Sequence, residues 1–261
     1  MRRIEQGGYQ IQLTLVRMES SKPLRPMRYL ALASDYDDTL AEAGPVGDKT
    51  IQAVERLKRS GRKLILVTGR ELTDLKSVFP RLGVCDRAVA EDGALIYDPA
   101  SGRKRLLARR PSDHFLTRLR DRAVTEIFVG EVLIATAGTH ERQVREAIRD
   151  SGLDLHIIFN KGVLMILPFG VDKATGLYFA LKELKLSPHN VVAIGDAEND
   201  DALLQACECS VAVANAIPAL KKTANLVTSG ARGGGVVELI DRLLETDLAE
   251  LSVRDEINDT A

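Results

Sequence analysis

The stretch YLALASDYDDTL, Tyr29 to Leu40, constrains this chain more than any other. A short apolar run that breaks into acid suits a strand buried on both faces, as in a parallel sheet with helices on either side. Asp35 and Asp37 then fall at the strand's carboxyl end, with Thr39 beside them. Open α/β sheets bind their ligands in the crevice beyond the carboxyl ends of the strands, so two carboxylates placed there mark where chemistry belongs. An isolated Asp-x-Asp is more often an acidic turn. What decides between the two readings is whether other segments converge on the same crevice.

The texture recurs along the chain. After Asp48, a fair N-cap, the positions Ile51, Val54 and Leu57 repeat at helical spacing until Gly61. Leu64 to Val67 is a second buried-strand run, followed by Thr68, Gly69 and Arg70. A helix from Glu71 to about Val78 and a strand near Arg87 to Ala90 continue a strand-helix-strand pattern. From about residue 95 to 168 the texture changes to a basic segment, a helix from Ser112, a strand Val132 to Ala137 and a helix Thr139 to Asp150. The strands Leu155 to Phe159 and Val163 to Leu167 then meet across Asn160-Lys161-Gly162, a tight-hairpin sequence. The first pattern returns with a helix carrying Ala174, Leu177, Leu181 and Leu184, the strand VVAIGD, a helix through Leu203 and Leu204, and the strands VAVA and LVT. GARGGG from Gly230 reads as a flexible turn before a last helix, Val236 to Leu244, and the polar end of the chain as frayed.

These elements predict an α/β fold, a Rossmann-like parallel core flanked by helices with an inserted α+β cap. The expected division is a non-essential leader over 1–26, core over 27–94, cap over 95–168, core again over 169–245, and a tail over 246–261. A chain of 261 residues with 45% hydrophobic content supports a core of that size. Lys and Arg (36) nearly balance Asp and Glu (37), which argues against nucleic acid or an anionic membrane as partner. No apolar run reaches the roughly 20 residues of a membrane span, and a cytoplasmic location is expected. Cys85, Cys207 and Cys209 suit reduced structural thiols better than a disulfide framework or zinc.

Four motifs lie in order: DYDDT at Asp35, TGR at Thr68, the lysine of VDKATG at Lys173, and GDAEND from Gly195 to Asp200. Strand context would carry Asp35, Asp37, Thr68, Asp196 and Asp200 to one sheet edge. Carboxylates about 4 Å apart repel by roughly 4 kcal/mol per pair at an effective dielectric of 20, so such a cluster calls for a cation. Oxygen donors without His or Cys point to a hard ion, Mg²⁺ above all. A hydroxyl, a backbone amide and a lysine beside it make an oxyanion-binding set.

In these four motifs the chain resembles the haloacid dehalogenase superfamily of Mg²⁺-dependent phosphohydrolases, over roughly residues 28 to 245. The resemblance implies Asp35 as a nucleophile that becomes an aspartyl-phosphate and Asp37 as general acid, then base. It implies Thr68, Gly69 and Lys173 as phosphoryl ligands. Mg²⁺ would be held by Asp35, the carbonyl of Asp37 and Asp196, supported by Asn199 and Asp200. Asp38 departs from the family pattern, which commonly has Gly there. The gaps of 33 positions between Asp35 and Thr68 and 105 between Thr68 and Lys173 put the insertion after the second motif. That is similar to the class IIB caps of the Cof-like and sucrose-phosphate-phosphatase-like branch, in which Asn usually stands where Asp92 does. Substrate-facing candidates are then Arg70, Glu91, Asp92, Asn160 and Lys161. The implied activity is hydrolysis of a small-molecule phosphomonoester, a sugar phosphate or similar, with a non-catalytic phosphate-binding module of the same fold as the alternative. The short first gap argues against a mutase, and the second Asp with the acidic cluster against a dehalogenase. Oligomeric state has no signature in the sequence.

Overall fold

The structure is a computed structural model that describes residues 27–42 and 44–251. The expected leader and the last ten residues of the expected tail lie outside the described residues. Strand β1 (Ala31–Ser34) is buried along its whole length. Helix α1 (Asp48–Arg59) follows and lays Ile51, Val54 and Leu57 on the sheet. Its N-cap is Gly47; Asp48, expected there, is instead the first helical residue, where a carboxylate favours the helix dipole. Then come β2 (Lys63–Val67), α2 (Leu72–Val78), β3 (Arg87–Ala90), β4 (Leu95–Tyr97) and β5 (Lys104–Leu106). A smaller module holds α3 (Asp113–Asp121), β6 (Phe128–Val129), β7 (Ile134–Ala137), α4 (Glu141–Ser151), β8 (Leu155–Asn160) and β9 (Val163–Pro168). The chain returns through α5 (Lys173–Leu184), β10 (Val191–Gly195), α6 (Asp201–Gln205), β11 (Cys209–Ala212), α7 (Pro218–Thr223), β12 (Leu226–Val227) and α8 (Gly233–Thr246).

The larger sheet runs β12-β11-β10-β1-β2-β3-β4-β5, parallel from β12 to β3 and antiparallel at β4 and β5. The smaller runs β6-β7-β9-β8 and is antiparallel throughout. This is the expected fold class, an α/β core with a separate cap sheet. Strands β4 and β5, within the stretch grouped by its texture with the insertion, instead finish the large sheet, β4 pairing with β3 and β5 with β4. The antiparallel cap exposes its alternation: Ile134 and Ile166 pair across β7 and β9 and turn inward onto Phe115, Leu119 and Val144 of α3 and α4. Their neighbours Ala135 and Met165 pair on the opposite face and turn toward the core. Such a period of two is what a half-buried sheet requires. No described helix is long and apolar enough to cross a membrane.

Two sequence readings change here. GARGGG is not an open turn, because α8 begins at Gly233, three residues before the expected start. A Cβ on Gly233 would lie 2.4 Å from Thr50 Oγ1, and one on Gly235 2.5 Å from Thr228 Oγ1, so the glycines let the helix end approach its neighbours. Nor do residues 247–251 fray: Leu248 is fully buried, and Asp247 accepts from Arg62 Nη2 at 2.8 Å.

The turn from β3 into β4 carries the strictest backbone requirement. Gly93 sits at φ +108°, and a Cβ there would fall 1.8 Å from the carbonyl oxygen of Asp172, just before α5. Gly93→Ala should therefore destabilise the chain by at least about 3 kcal/mol in urea unfolding, through overpacking and a disfavoured backbone region. Gly83→Ala, whose Cβ meets nothing within 4 Å, should change stability by under about 0.5 kcal/mol.

Candidate active site

The carboxyl ends of β1, β2 and β10 meet under the cap. Asp35 follows β1, Thr68 follows β2, and Asp196 follows β10. In the centre lies Lys173, the first residue of α5, almost wholly buried. Its Nζ donates to Asp35 Oδ1 and to Asp200 Oδ1, each at 2.6 Å. An ammonium at a helix N-terminus opposes the helix dipole, and the two carboxylates offset that. Asp172, the N-cap of α5, accepts from Thr175 N at 2.7 Å and so sets where the helix starts.

Asp200 belongs to a 3-10 turn after β10, and its Oδ2 accepts from the backbone N–H groups of Asp196 (2.8 Å) and Ala197 (3.0 Å). Gly195 makes room for it, since a Cβ there would stand 2.6 Å from the Asp200 side chain. Asp196 accepts from Thr39 Oγ1 at 3.1 Å and from Lys161 Nζ at 2.8 Å. One oxygen from each of Asp35, Asp196 and Asp200 lies within 4.8 Å of the others, and all three residues are buried. Burial pushes the Asp35 carboxyl well up, Asp200 adds to this, and Lys173 opposes it. Burial likewise raises Asp196 against the pull of Lys161. Burial would lower the Lys173 ammonium, but Asp200 and Asp35 together hold it above its ordinary value. Carboxylates so crowded and dry fit a hard divalent cation. Asn199 Oδ1, buried with no hydrogen-bond partner among the described residues, is a further oxygen donor at the same wall.

Asp37 is more open. Arg70 takes both its oxygens, Nε to Oδ2 at 2.8 Å and Nη2 to Oδ1 at 2.7 Å, while the guanidinium lies over the Tyr36 ring. Thr68, fully buried, accepts from Arg70 N at 3.2 Å. Above these groups a cleft of about 710 Å³ separates core from cap. Asp35, Asp37, Gly69, Arg70, Asp196 and Asn199 face it from the core, and Asn160 and Lys161 from the hairpin. Met165 Sδ of β9 comes within 3.5 Å of where a Gly69 Cβ would be.

Glu91 and Asp92, expected to face substrate, are instead fully buried behind the wall of the cleft. Glu91 Oε1 accepts from Glu131 N (2.9 Å), and its Oε2 from Val132 N (2.7 Å) and Leu133 N (2.9 Å). It pins the strand entering the cap to the core. Gly130 is the sequence trace of that contact, for a Cβ there would be 2.8 Å from the Glu91 carboxylate. Asp92, at φ +53°, accepts from Asn199 Nδ2 at 2.8 Å through Oδ1, and its Oδ2 has no partner among the described residues. Glu71 and Asp74 of the core, and Phe128, Leu133, Thr136 and Val163 of the cap, line the cleft without having been singled out by motif. Thr39, mentioned only as a neighbour of the two aspartates, orients Asp196.

A sequence profile of the haloacid dehalogenase-like hydrolases matches residues 32–123 and 108–240. Phosphoglycolate phosphatase 2 of Saccharolobus solfataricus is 32% identical over 226 residues, which cover 82% of this chain and 92% of the relative. Phosphoglycolate phosphatase of Methanothermobacter thermautotrophicus is 28% identical over 82% of this chain and 98% of its own. Among solved structures, a subclass IIB sugar phosphatase superposes with a TM-score of 0.66 at 17% identity, covering 82% of this chain and 97% of that one.

Asp92 yields a pH prediction. Burial pushes its carboxyl up to about 6 from 3.8, despite Lys173 and Asn199. A folded-state value above the unfolded one means that ionising Asp92 penalises the fold. The penalty grows from about pH 4 to about pH 6 and is constant above. Asp92→Asn should therefore stabilise the protein by about 2–3 kcal/mol at pH 8, with the gain vanishing near pH 4, in urea titrations of both proteins.

Proposed function

We propose that this chain, a member of the haloacid dehalogenase-like hydrolases, works as a Mg²⁺-dependent phosphomonoesterase through an aspartyl-phosphate on Asp35. It is a phosphatase of that family. The observation that carries the mechanism is the buried triad of Asp35, Asp196 and Asp200 around Lys173. In this reading Asp35, the Asp37 carbonyl and Asp196 hold the ion, with Asn199 and Asp200 in support. When bound, Mg²⁺ supplies positive charge to the phosphoryl oxygens and holds Asp35 ionised.

Lys173 engages Asp35 Oδ1, which leaves Oδ2 to attack phosphorus. The Asp35–phosphorus bond forms as the ester P–O bond breaks, and a proton from Asp37 goes to the departing oxygen. Water then attacks phosphorus, the acyl-phosphate bond breaks, and Asp37 takes the water's proton. Lys173, the Thr68 hydroxyl and the Gly69 amide hold the phosphoryl oxygens through both steps. Both Asp37 oxygens accept from Arg70, so the guanidinium holds the carboxyl in place and the proton it carries shares an oxygen with one of these bonds.

For the substrate, the curated relatives support a small phosphorylated acid such as phosphoglycolate. The sugar phosphate expected from the cap class draws only on a structure at 17% identity, a likeness of fold. Assay of 2-phosphoglycolate with Mg²⁺ tests the proposal. Turnover should vanish in excess chelator and in Asp35→Asn, whereas full activity with chelator refutes the metal assignment, and phosphate binding with no turnover makes the chain a non-catalytic module.

The two aspartates can be separated. A nitrophenolate leaves without a proton, but hydrolysis of the acyl-phosphate needs Asp37 for any substrate. Asp37→Asn should therefore release about one equivalent of nitrophenol from p-nitrophenyl phosphate in a burst, then turn over at least about 100-fold more slowly than the parent protein. Rapid mixing that shows no burst, with Mg²⁺ and phosphate still bound, would place Asp37 before phosphoryl transfer.

A further inference from the structure

We infer that Lys161 selects substrates whose leaving alcohol carries a carboxylate, and that Asp38 is the positioning residue that keeps the Lys161 ammonium at the mouth of the site. The inference rests on the phosphomonoesterase reading and deepens it. The cap wall of the cleft is chiefly apolar, built from Phe128, Leu133, Ala135, Val163 and Met165, with Phe128 and Val163 48% and 43% exposed. Polar groups of the lining other than Lys161 and Arg70 are neutral or acidic, Glu126, Thr136 and Asn160 from the cap and Glu71 and Asp74 from the core, so none of them attracts an anion. Among the cleft-lining residues the cap supplies a single cation, Lys161. The other cation in the cleft, Arg70 of the core, is committed to Asp37 and Asp74.

The ammonium is delivered by a fixed tip. Lys161 and Gly162 form the two-residue turn between β8 and β9, with φ of +48° and +83°, as a tight hairpin turn requires. Gly138 N donates to Gly162 O at 2.7 Å, and Lys161 N to Glu198 Oε2 at 3.3 Å. Lys161 Nζ reaches Asp196 Oδ2 and Asp38 Oδ2, both at 2.8 Å. An ammonium has three donors, so one remains for a ligand. A carboxylate is its strongest small partner, since a charge-assisted bond is roughly twice as strong as a neutral one.

Asp38 lies outside the acidic triad, so its hold on Lys161 does not depend on what Asp196 binds. It is itself braced: Oδ1 accepts from Arg232 Nε at 3.1 Å, and its carbonyl from Asn215 Nδ2 at 2.9 Å. Asn215 Oδ1 in turn accepts from Arg232 N at 2.7 Å. Its φ is +61°, where glycine is at ease and an aspartate is strained. The carboxylate held in that conformation bridges Arg232 of the core and Lys161 of the cap, which fixes the lysine to a braced support.

The test is titration calorimetry in the Asp35→Asn background with Mg²⁺, comparing 2-phosphoglycolate with ethyl phosphate, which has no carboxylate. Adding Lys161→Asn, a residue that tolerates the turn, should weaken 2-phosphoglycolate about 10- to 100-fold and ethyl phosphate less than about threefold. Lys161→Arg should restore most of the difference. Asp38→Gly should leave the melting temperature equal or higher, yet weaken 2-phosphoglycolate about 3- to 10-fold through the freed lysine. Equal weakening of both ligands by Lys161→Asn, or none, overturns the inference. Failure of the unmutated chain to turn over any phosphomonoester overturns the catalytic reading instead, and the titrations still decide the role of Lys161.

Discussion

The buried ammonium of Lys173, held between Asp35 and Asp200, is the interaction on which the rest of the structure depends. It joins the ends of β1 and β10 to the start of α5, three segments far apart in sequence. Removing one partner from such a group leaves an uncompensated charge in the interior, at a penalty of about 3–5 kcal/mol. The fold accepts that exposure to failure because the same three groups define the chemistry of the crevice. Around them, Asp200 is spent on backbone amides and Lys173, whereas Asp35 and Asp196 keep oxygens turned toward the cleft.

Sheet order explains why these groups can meet. With β1 between β10 and β2, the loops after three adjacent parallel strands open on the same side. Each loop then contributes a different chemical type: carboxylates after β1, a hydroxyl and a glycine amide after β2, and an acidic turn after β10. The cap closes over this edge because its second face, the alternate residues of β7 and β9, has no helix of its own to cover it. Glu91 fixes one side of the cap through three amides, and the hairpin tip reaches the other through Lys161.

Much of this was legible in the sequence, and the exceptions share a cause. Continuous apolar runs revealed the core strands because a strand buried on both faces leaves no room for polar residues. The hairpin at Asn160-Lys161-Gly162 was legible because few residues accept a positive φ. By contrast β4 and β5 are three residues each, and β5 is wholly exposed, so the basic texture of Lys104 and Arg105 concealed their place in the large sheet. Glu91 was misread because a carboxylate that caps buried amides has the same letter as one in solvent; only the neighbouring Gly130 hints at the contact, and only once the two are known to be adjacent. The glycines at 233–235 were misread for the converse reason. Their small size serves close packing there, and composition alone suggests freedom.

The register of β1 sets an order of events during synthesis. Ala31 pairs with Val191 on one side and Lys63 on the other, so β1 waits for some 160 residues before its second neighbour exists. Closing so long a loop is slow, whereas the four strands of the cap lie within residues 128–168 and pair locally. On the ribosome the cap can therefore be complete while β1, β2 and β3 still present an open edge, and β10 is the strand that covers it. The acidic cluster is assembled only at that late step, because Asp196 and Asp200 arrive with β10. Until then Asp35 sits at the end of an unsealed sheet, and a nascent chain stopped before residue 191 has a finished lid over an unfinished floor.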